Sequence, residues 1–303
     1  MVCKIRIWFP VIVLILFLLI ISADAGHSRS HVTKVTCRSS LRTPVGYPPQ
    51  DLVLRSTAAV VEDQQTGELL IQKHARAVVP IASITKLMTA MVVLDAFENM
   101  EGKIRIQTED IDRIRHSRSR LPIGSEVSRA DALLVALMAS DNRAAAALGR
   151  TYPGGTSGCV AAMNAKARAM GLSETYFRDA TGLSTGNVSS ARDLLRLVEA
   201  AYQYGTIRVF TTRKHASIPA GRRWITFYNT NQLIDHPRWE IGLSKTGYLE
   251  EAGRCLVMQA QIADRSVLIV LLDSQGKLTR VGDANRIRKW LEETSQIPQT
   301  KRG

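Results

Sequence analysis

A chain of 303 residues with 45% hydrophobic content is long enough for one large domain or two that share an interface, with ample material for a core. Its net charge of +13 calls for acidic partners; no nucleic-acid-binding motif accompanies that charge, so an anionic cell wall or membrane surface is expected in place of nucleic acid. The six histidines and four cysteines show no metal-ligand spacing and no Cys-x-x-Cys, and neither metal nor cofactor is expected.

Lys4 and Arg6, the uncharged stretch from Trp8 to Ile21 and the small-residue pattern Ala23-Asp24-Ala25 predict an export signal over residues 1–25, hence a periplasmic protein. The apolar stretch is shorter than the roughly 20 residues of a spanning helix, which leaves an uncleaved anchor with peripheral membrane association as the alternative. Three cysteines then remain in an oxidising compartment, and Cys159 and Cys255 are expected as small buried apolar residues. Residues 26–50 are polar, end in Pro48-Pro49 and are expected to form a segment without a core of its own.

The fold is expected to begin near Asp51. Ala58–Asp63 and Glu68–Lys73, separated by Gln64-Gln65-Thr66-Gly67, predict a hairpin. Pro80 suits a first helical turn and is expected to open a helix running to about Ala96. That helix is apolar all round, which places it centrally, and Lys86 is its only charge between Pro80 and Asp95. Ser128-Arg129-Ala130-Asp131 has the spacing of a cap before a helix carrying Leu133, Leu134, Leu137 and Met138. A second helix is expected after Ser140-Asp141-Asn142, and further ones over Val160–Met170 and Ser190–Tyr204. Gly253–Ala263 and Ser266–Asp273 predict two strands joined around Asp264-Arg265. The continuously apolar run Val267–Leu272 requires cover on both faces, and a closing helix from Asp283 to about Glu293 is expected to supply one cover, before a polar tail over 296–303.

Ser83-Ile84-Thr85-Lys86 places a hydroxyl and an amine three residues apart on one helix face. Serine needs a neighbouring base to become a nucleophile, and burial disfavours the ammonium form of a lysine, so Lys86 in an apolar helix meets the requirement. Free backbone N–H groups in the first turn are available to an oxyanion. Ser-x-x-Lys alone is a weak signal: Ser274-Gln275-Gly276-Lys277 also fits and reads as a turn, and Lys86 has the alternative reading of a lysine snorkelling out of a buried helix. Ser140-Asp141-Asn142 between two helices and Lys245-Thr246-Gly247 just before the strand hairpin are more specific, each expected by chance only about 0.05 times. Cap roles for Ser140 and Asn142, and a strand start for Lys245-Thr246-Gly247, remain the blander readings, and Asp141 is expected to serve as a cap. In the catalytic reading Ser140 relays a proton among Ser83, Lys86 and the leaving amine, Asn142 holds a substrate amide, and Lys245 with Thr246 and Gly247 receives the substrate carboxylate. The route from Lys86 to Ser83, direct or through Ser140, stays open.

The three motifs occur in the order found in penicillin-binding proteins and class A β-lactamases. Together with Pro80–Ala90, His116–Leu121, Asp141–Ala146, Tyr152–Gly155, Thr181-Gly182-Leu183 and Ser244–Tyr248, they make the chain resemble the low-molecular-mass penicillin-binding proteins over roughly Thr57 to Trp290. The resemblance implies an α/β fold of the α+β kind, an antiparallel sheet flanked by helices with an inserted all-helical domain, as in β-lactamases and DD-peptidases. The sheet domain is expected over 51–98 and 206–295 and the helical domain over 99–205. It also implies an oxyanion hole from the N–H groups of Ser83 and Tyr248, and endopeptidase action on D-alanyl to meso-diaminopimelate cross-links. Peptidoglycan peptide stems are the expected substrates and β-lactam antibiotics the expected covalent inhibitors. A D-alanyl-D-alanine carboxypeptidase is the alternative; a β-lactamase is disfavoured because no Glu-x-x-Leu-Asn motif is present, and a non-catalytic wall-binding protein because all three motifs are intact. The basic cluster Arg113, Arg115, His116, Arg118 and Arg120 is either a groove entrance or a solvated loop.

Overall fold

The computed structural model describes residues 52–295; the expected export signal, the polar segment and the tail lie outside the described residues. In chain order the elements are β1 (Ser56–Asp63), β2 (Leu69–Lys73), β3 (Val79–Pro80), α1 (Thr85–Ala96), β4 (Lys103–Arg105), β5 (Glu126–Ser128), α2 (Arg129–Met138), α3 (Asn142–Arg150) and α4 (Gly155–Ala169). There follow β6 (Val188–Ser189), α5 (Ala191–Tyr202), α6 (Gly205–Thr212), β7 (His215–Ala220), β8 (Arg223–Tyr228), β9 (Glu240–Leu249), β10 (Gly253–Ile262), β11 (Arg265–Ser274) and α7 (Thr279–Ser295).

Five strands form one antiparallel sheet in the order β2-β1-β11-β10-β9. Alternation along its central strands divides the interior in two. Ala58 and Val60 of β1, Cys255 and Val257 of β10, and Leu268, Val270 and Leu272 of β11 face the larger core, which holds α1 and α5. Ala59, Val61, Leu256, Met258, Val267, Ile269 and Leu271 face the other, where Ala284, Ile287 and Leu291 of α7 meet them. Cover on both faces is the physical reason why β11 reads as an unbroken apolar run.

Local chemistry starts the helices around the larger core. Ser128 accepts from Asp131 N at 3.0 Å to cap α2, Asp141 accepts from Ala144 N at 2.9 Å to cap α3, and Ser190 accepts from Asp193 N at 3.1 Å to cap α5. Pro80 departs from its expected place. It belongs to β3, paired with Val188 of β6, and the chain passes through a 3-10 turn over Ala82–Ile84 before α1 begins at Thr85. A two-residue pairing tolerates the missing N–H, so proline here closes a short strand and does not open the helix. Lys245-Thr246-Gly247 lies inside β9, the edge strand of the sheet, which comes just before the β10–β11 hairpin and pairs with its first strand. The hairpin β7–β8, helix α6 and the earlier start of α7 at Thr279 add to the elements expected from the sequence.

A single carboxylate ties α7 to the first strand. Fully buried Asp283 accepts from Arg55 N at 3.0 Å, Ser56 N at 2.6 Å and Ser56 Oγ at 2.6 Å, with Arg286 at 3.4 Å as its cation. Asp283→Ala leaves the buried N–H of Ser56 and the half-buried N–H of Arg55 without this acceptor and is expected to cost about 3 kcal/mol of unfolding free energy. Urea denaturation measures the loss, and an unchanged midpoint would remove Asp283 from the contacts that hold α7 in place.

Candidate active site

Ser83 sits in the 3-10 turn and Lys86 in the first turn of α1, and the two meet at 2.8 Å between Oγ and Nζ. Lys86 is 1% exposed. As an ammonium it donates to three acceptors, namely Ser83 Oγ, Asn142 Oδ1 at 2.7 Å and the carbonyl of Thr181 at 2.5 Å. No carboxylate touches it. Burial therefore pushes its pKa from 10.5 down to about 7, against the opposing pull of Asp179, Asp141 and Asp112. The lysine does not snorkel.

The Thr181 carbonyl is presented by a loop wound around Asp179, which accepts from Thr181 N at 2.6 Å, Thr181 Oγ1 at 2.6 Å, Gly182 N at 2.7 Å and Ser184 N at 2.8 Å. Gly182 has φ +84°, and a Cβ there would overlap the Ala82 carbonyl just before Ser83. Asn142 opens α3 and is brought to Lys86 by the junction between α2 and α3, where Ser140 has φ +59° and Asp141 caps the second helix. That cap carboxylate also accepts from Ser119 Oγ at 2.8 Å.

Strand β9 supplies the other wall. Lys245, equally buried, donates to Ser140 Oγ at 2.8 Å and to Thr246 O at 3.0 Å. Its pKa lies well below the ordinary lysine value because of burial first, with Lys86 and Arg280 adding repulsion. Thr246 Oγ1 is 2.6 Å from Thr230 Oγ1. Gly247 is where β9 comes against the turn that carries Ser83: a Cβ there would lie 2.9 Å from Ile81 O and 3.1 Å from Ser83 N. Tyr248 follows with its side chain 55% exposed beneath the Arg254 guanidinium, whose carbon is 4.3 Å from the ring centroid.

The predicted residues thus fall into two linked groups, Ser83–Lys86–Asn142 and Ser140–Lys245–Thr246, joined by the approach of Gly247 to Ser83. Ser140 Oγ bonds to Lys245 and has no hydrogen bond to Ser83 or Lys86 among the described residues. Sequence reasoning gave no role to Asp112, Ser117, Asp179, Thr181, Thr230 or Arg280. Arg280 donates to the carbonyls of Gly247 at 2.8 Å and Cys255 at 3.0 Å, behind β9. Only the stretches 116–121 and 181–183, singled out above, signalled any of these positions. Within the basic cluster, Arg115 pairs with Glu251 at 2.8 Å and Arg120 donates to Thr226 O at 2.5 Å, while Arg113 and Arg118 are exposed. Cys159 and Cys255 are buried and unbridged among the described residues, and burial pushes their thiols up to about 12 and about 11.

Comparison with known proteins places this arrangement in context. The family model described as D-alanyl-D-alanine carboxypeptidase matches residues 47–276. The chain is 46% identical to a D-alanyl-D-alanine endopeptidase of Pseudomonas aeruginosa, over 86% of this chain and 85% of that protein. It is 42% identical to the Escherichia coli protein of the same name, over 81% and 80%. The crystal structure of a Streptomyces DD-transpeptidase superposes with a TM-score of 0.74 at 28% identity, covering 80% of this chain and 98% of that one.

The contact between Gly182 and the turn carrying Ser83 generates a structural prediction. Gly182→Ala combines a left-handed backbone with a collision against a main-chain carbonyl and is expected to cost about 3 kcal/mol. Thermal unfolding is the measurement, and a stability equal to the parent's would mean that the two loops are not in contact.

Proposed function

The chain belongs to the D-alanyl-D-alanine carboxypeptidase family, and from that premise we propose that it is a serine DD-peptidase forming an acyl-enzyme on Ser83 and acting chiefly as an endopeptidase on D-alanyl to meso-diaminopimelate cross-links. The observation that carries this reading is the 2.8 Å contact of Ser83 Oγ with a buried lysine amine whose pKa is near 7. A base poised near the working pH is neutral often enough to accept a proton and basic enough to hold it. The Ser83 proton passes to Lys86 as Oγ attacks the D-alanyl carbonyl. The tetrahedral oxyanion faces the N–H groups of Ser83 and Tyr248, and its collapse expels the amine of the second stem. Ser140 is placed to deliver the proton that the leaving amine needs and to be reprotonated by Lys245, which donates to it. Water then hydrolyses the ester, its proton returning to the Ser140–Lys245 pair while Lys86 hands its proton back to Ser83 Oγ. Asn142 holds the substrate amide through its second, uncommitted N–H, and Lys245, Thr246 and Gly247 line the position for a substrate carboxylate. An arriving carboxylate favours the charged form of Lys245.

The preference for cross-links over terminal D-alanine draws on the two endopeptidase relatives, with identities of 46% and 42%, against 29% for a Bacillus subtilis carboxypeptidase. The proposed site lies where the sheet part, 51–98 and 206–295, meets the helical part, 99–205. The proposed workplace is the periplasm, reached through the export signal at 1–25, with peptidoglycan stems as substrates and β-lactams as inhibitors. Among the described residues no helix is long and apolar enough to cross a membrane.

A fluorescent penicillin is expected to label the protein stably, with the label lost in Ser83→Ala. Neutral Lys86 is the active form, so the labelling rate rises with pH through a midpoint near 7 and falls below it. Lys86→Arg cannot deprotonate and is expected to slow labelling by roughly 10²- to 10⁴-fold. Rapid turnover of the penicillin would instead favour the β-lactamase reading. With cross-linked dimeric muropeptides and monomeric pentapeptides supplied together, dimers are expected to become monomers faster than free D-alanine appears. Release of D-alanine with dimers left intact would overturn the endopeptidase assignment and leave the Ser83 mechanism standing.

A further inference from the structure

The loop following Ile111 is organised around the carboxylate of Asp112. Oδ1 accepts from Ile114 N and Arg115 N, both at 2.9 Å, and Oδ2 accepts from Ser117 N at 3.0 Å and Ser117 Oγ at 2.6 Å. Burial works to raise the Asp112 pKa, but the hydrogen bonds from Ser117, Arg115 and Ile114 outweigh it and hold the carboxyl below its usual range. Asp112 is thus an anion that can only accept. The single hydroxyl proton of Ser117 is committed to it, so the same oxygen can only accept from its other neighbour, Asn142 Nδ2, at 2.8 Å. This fixes which end of the Asn142 amide faces which way. The NH2 end is held by Ser117, and Oδ1 is turned to Lys86 at 2.7 Å.

The orientation matters at the next atom. Asn142 Oδ1 and the Thr181 carbonyl are both pure acceptors on Lys86 Nζ. A neutral amine has two N–H groups and one lone pair; when both protons go to those acceptors, the lone pair is left for the third neighbour, Ser83 Oγ. With the amide reversed, its NH2 would take the lone pair, and an amine proton would be turned on the nucleophile. We infer that Asp112 and Ser117 are positioning residues which, by fixing the Asn142 amide, aim the lone pair of Lys86 at Ser83. The inference rests on the proposed role of Lys86 as the base.

The charged groups around Lys86 are Asp179 on the Thr181 loop, Asp141 at the start of α3, Asp112 on this loop and Lys245 on β9; α1 contributes no other charge before Asp95. Ser117→Ala removes none of these groups, and Asp112, though it loses the Ser117 hydroxyl, keeps its three backbone N–H donors. That variant frees the amide to rotate, so the ammonium form loses an acceptor and the neutral form loses its aim. The plateau rate of fluorescent-penicillin labelling is expected to fall roughly 10- to 100-fold, and the acid limb of its pH profile to move to lower pH. Ser117→Thr restores the hydroxyl and is expected to recover both.

In a double-mutant cycle, Ser117→Ala is expected to add little to the loss already caused by Asn142→Ala, because its effect passes through that amide. A plateau and acid limb equal to the parent's in Ser117→Ala would overturn the inference. So would a slowed variant with an unshifted acid limb, or an equal cost of Ser117→Ala in both backgrounds, since either marks a general disturbance of the loop. Labelling of the parent that survives Ser83→Ala would instead sink the proposed function on which the inference stands.

Discussion

The site is governed by one constraint: an amine on a largely apolar helix has been taken out of water and, among the described residues, given no carboxylate to touch. Lys86 meets a hydroxyl, an amide oxygen and a main-chain carbonyl, and these three contacts satisfy an ammonium without paying it back in charge. Burying a cation under those terms shifts its protonation before anything else gives way. The pKa near 7 follows, and with it the capacity to serve as a base at neutral pH. A salt bridge in the same position would have made the lysine a permanent cation, useful for holding an anion and useless for taking a proton.

The second lysine is buried to a similar degree, yet the surroundings differ. Lys245 stands on an edge strand, donates to Ser140 Oγ and the Thr246 carbonyl, and has Arg280 behind the strand as well as Lys86 across the site. The repulsion between the two amines disfavours the charged form of Lys245, and an anion between them would favour it, which is the electrostatic basis of the proposed carboxylate position. The proximity depends on backbone. Gly247 lets β9 approach Ile81 and Ser83 more closely than any side chain permits, so the strand, the turn and the loop through Gly182 converge on Ser83 from separate parts of the chain.

Much of this was legible in the sequence where the physics is local. The hairpin β1–β2, the capped helices α2 and α3, and the strands β10 and β11 follow from short-range alternation and capping chemistry, and Ser83 and Lys86 were paired by helical spacing alone. What escaped depended on tertiary partners. Proline before the nucleophile looked like a helix start because nothing in its neighbourhood announced the pairing with Val188 of β6, about a hundred residues later. Strand β9 was visible only as the blander reading of a strand start at Lys245-Thr246-Gly247, because Gly242 and Gly247 weaken the local β pattern; both are accommodated in β9 for close approach, to Tyr202 and Gln259 in one case and to Ser83 in the other. The roles of Ser117 and Thr181 were invisible for a different reason. A serine hydroxyl or a peptide carbonyl carries no signature until a loop turns it toward a lysine.

The loops that do the turning are built the same way. Asp179 gathers three backbone N–H groups and a threonine hydroxyl, Asp112 three N–H groups and a serine hydroxyl, and Asp141 a helix N–H and a serine hydroxyl. Each carboxylate is satisfied by backbone N–H groups of its own loop or helix end and by one hydroxyl, supplied to Asp141 from the separate loop that carries Ser119, and none of the three touches Lys86 among the described residues. Their charges still reach the amine through the interior, and they are the groups that oppose burial and keep its pKa from falling further. The carboxylates that shape the loops therefore also bear on the protonation of Lys86. In the proposed mechanism a further fall in its pKa would make the amine a weaker acceptor for the Ser83 proton, and contact with a carboxylate would favour the ammonium, which cannot take that proton. Placing the anions out of contact resolves both demands, with Asp179 acting through Thr181 and Asp112 through Ser117 and Asn142.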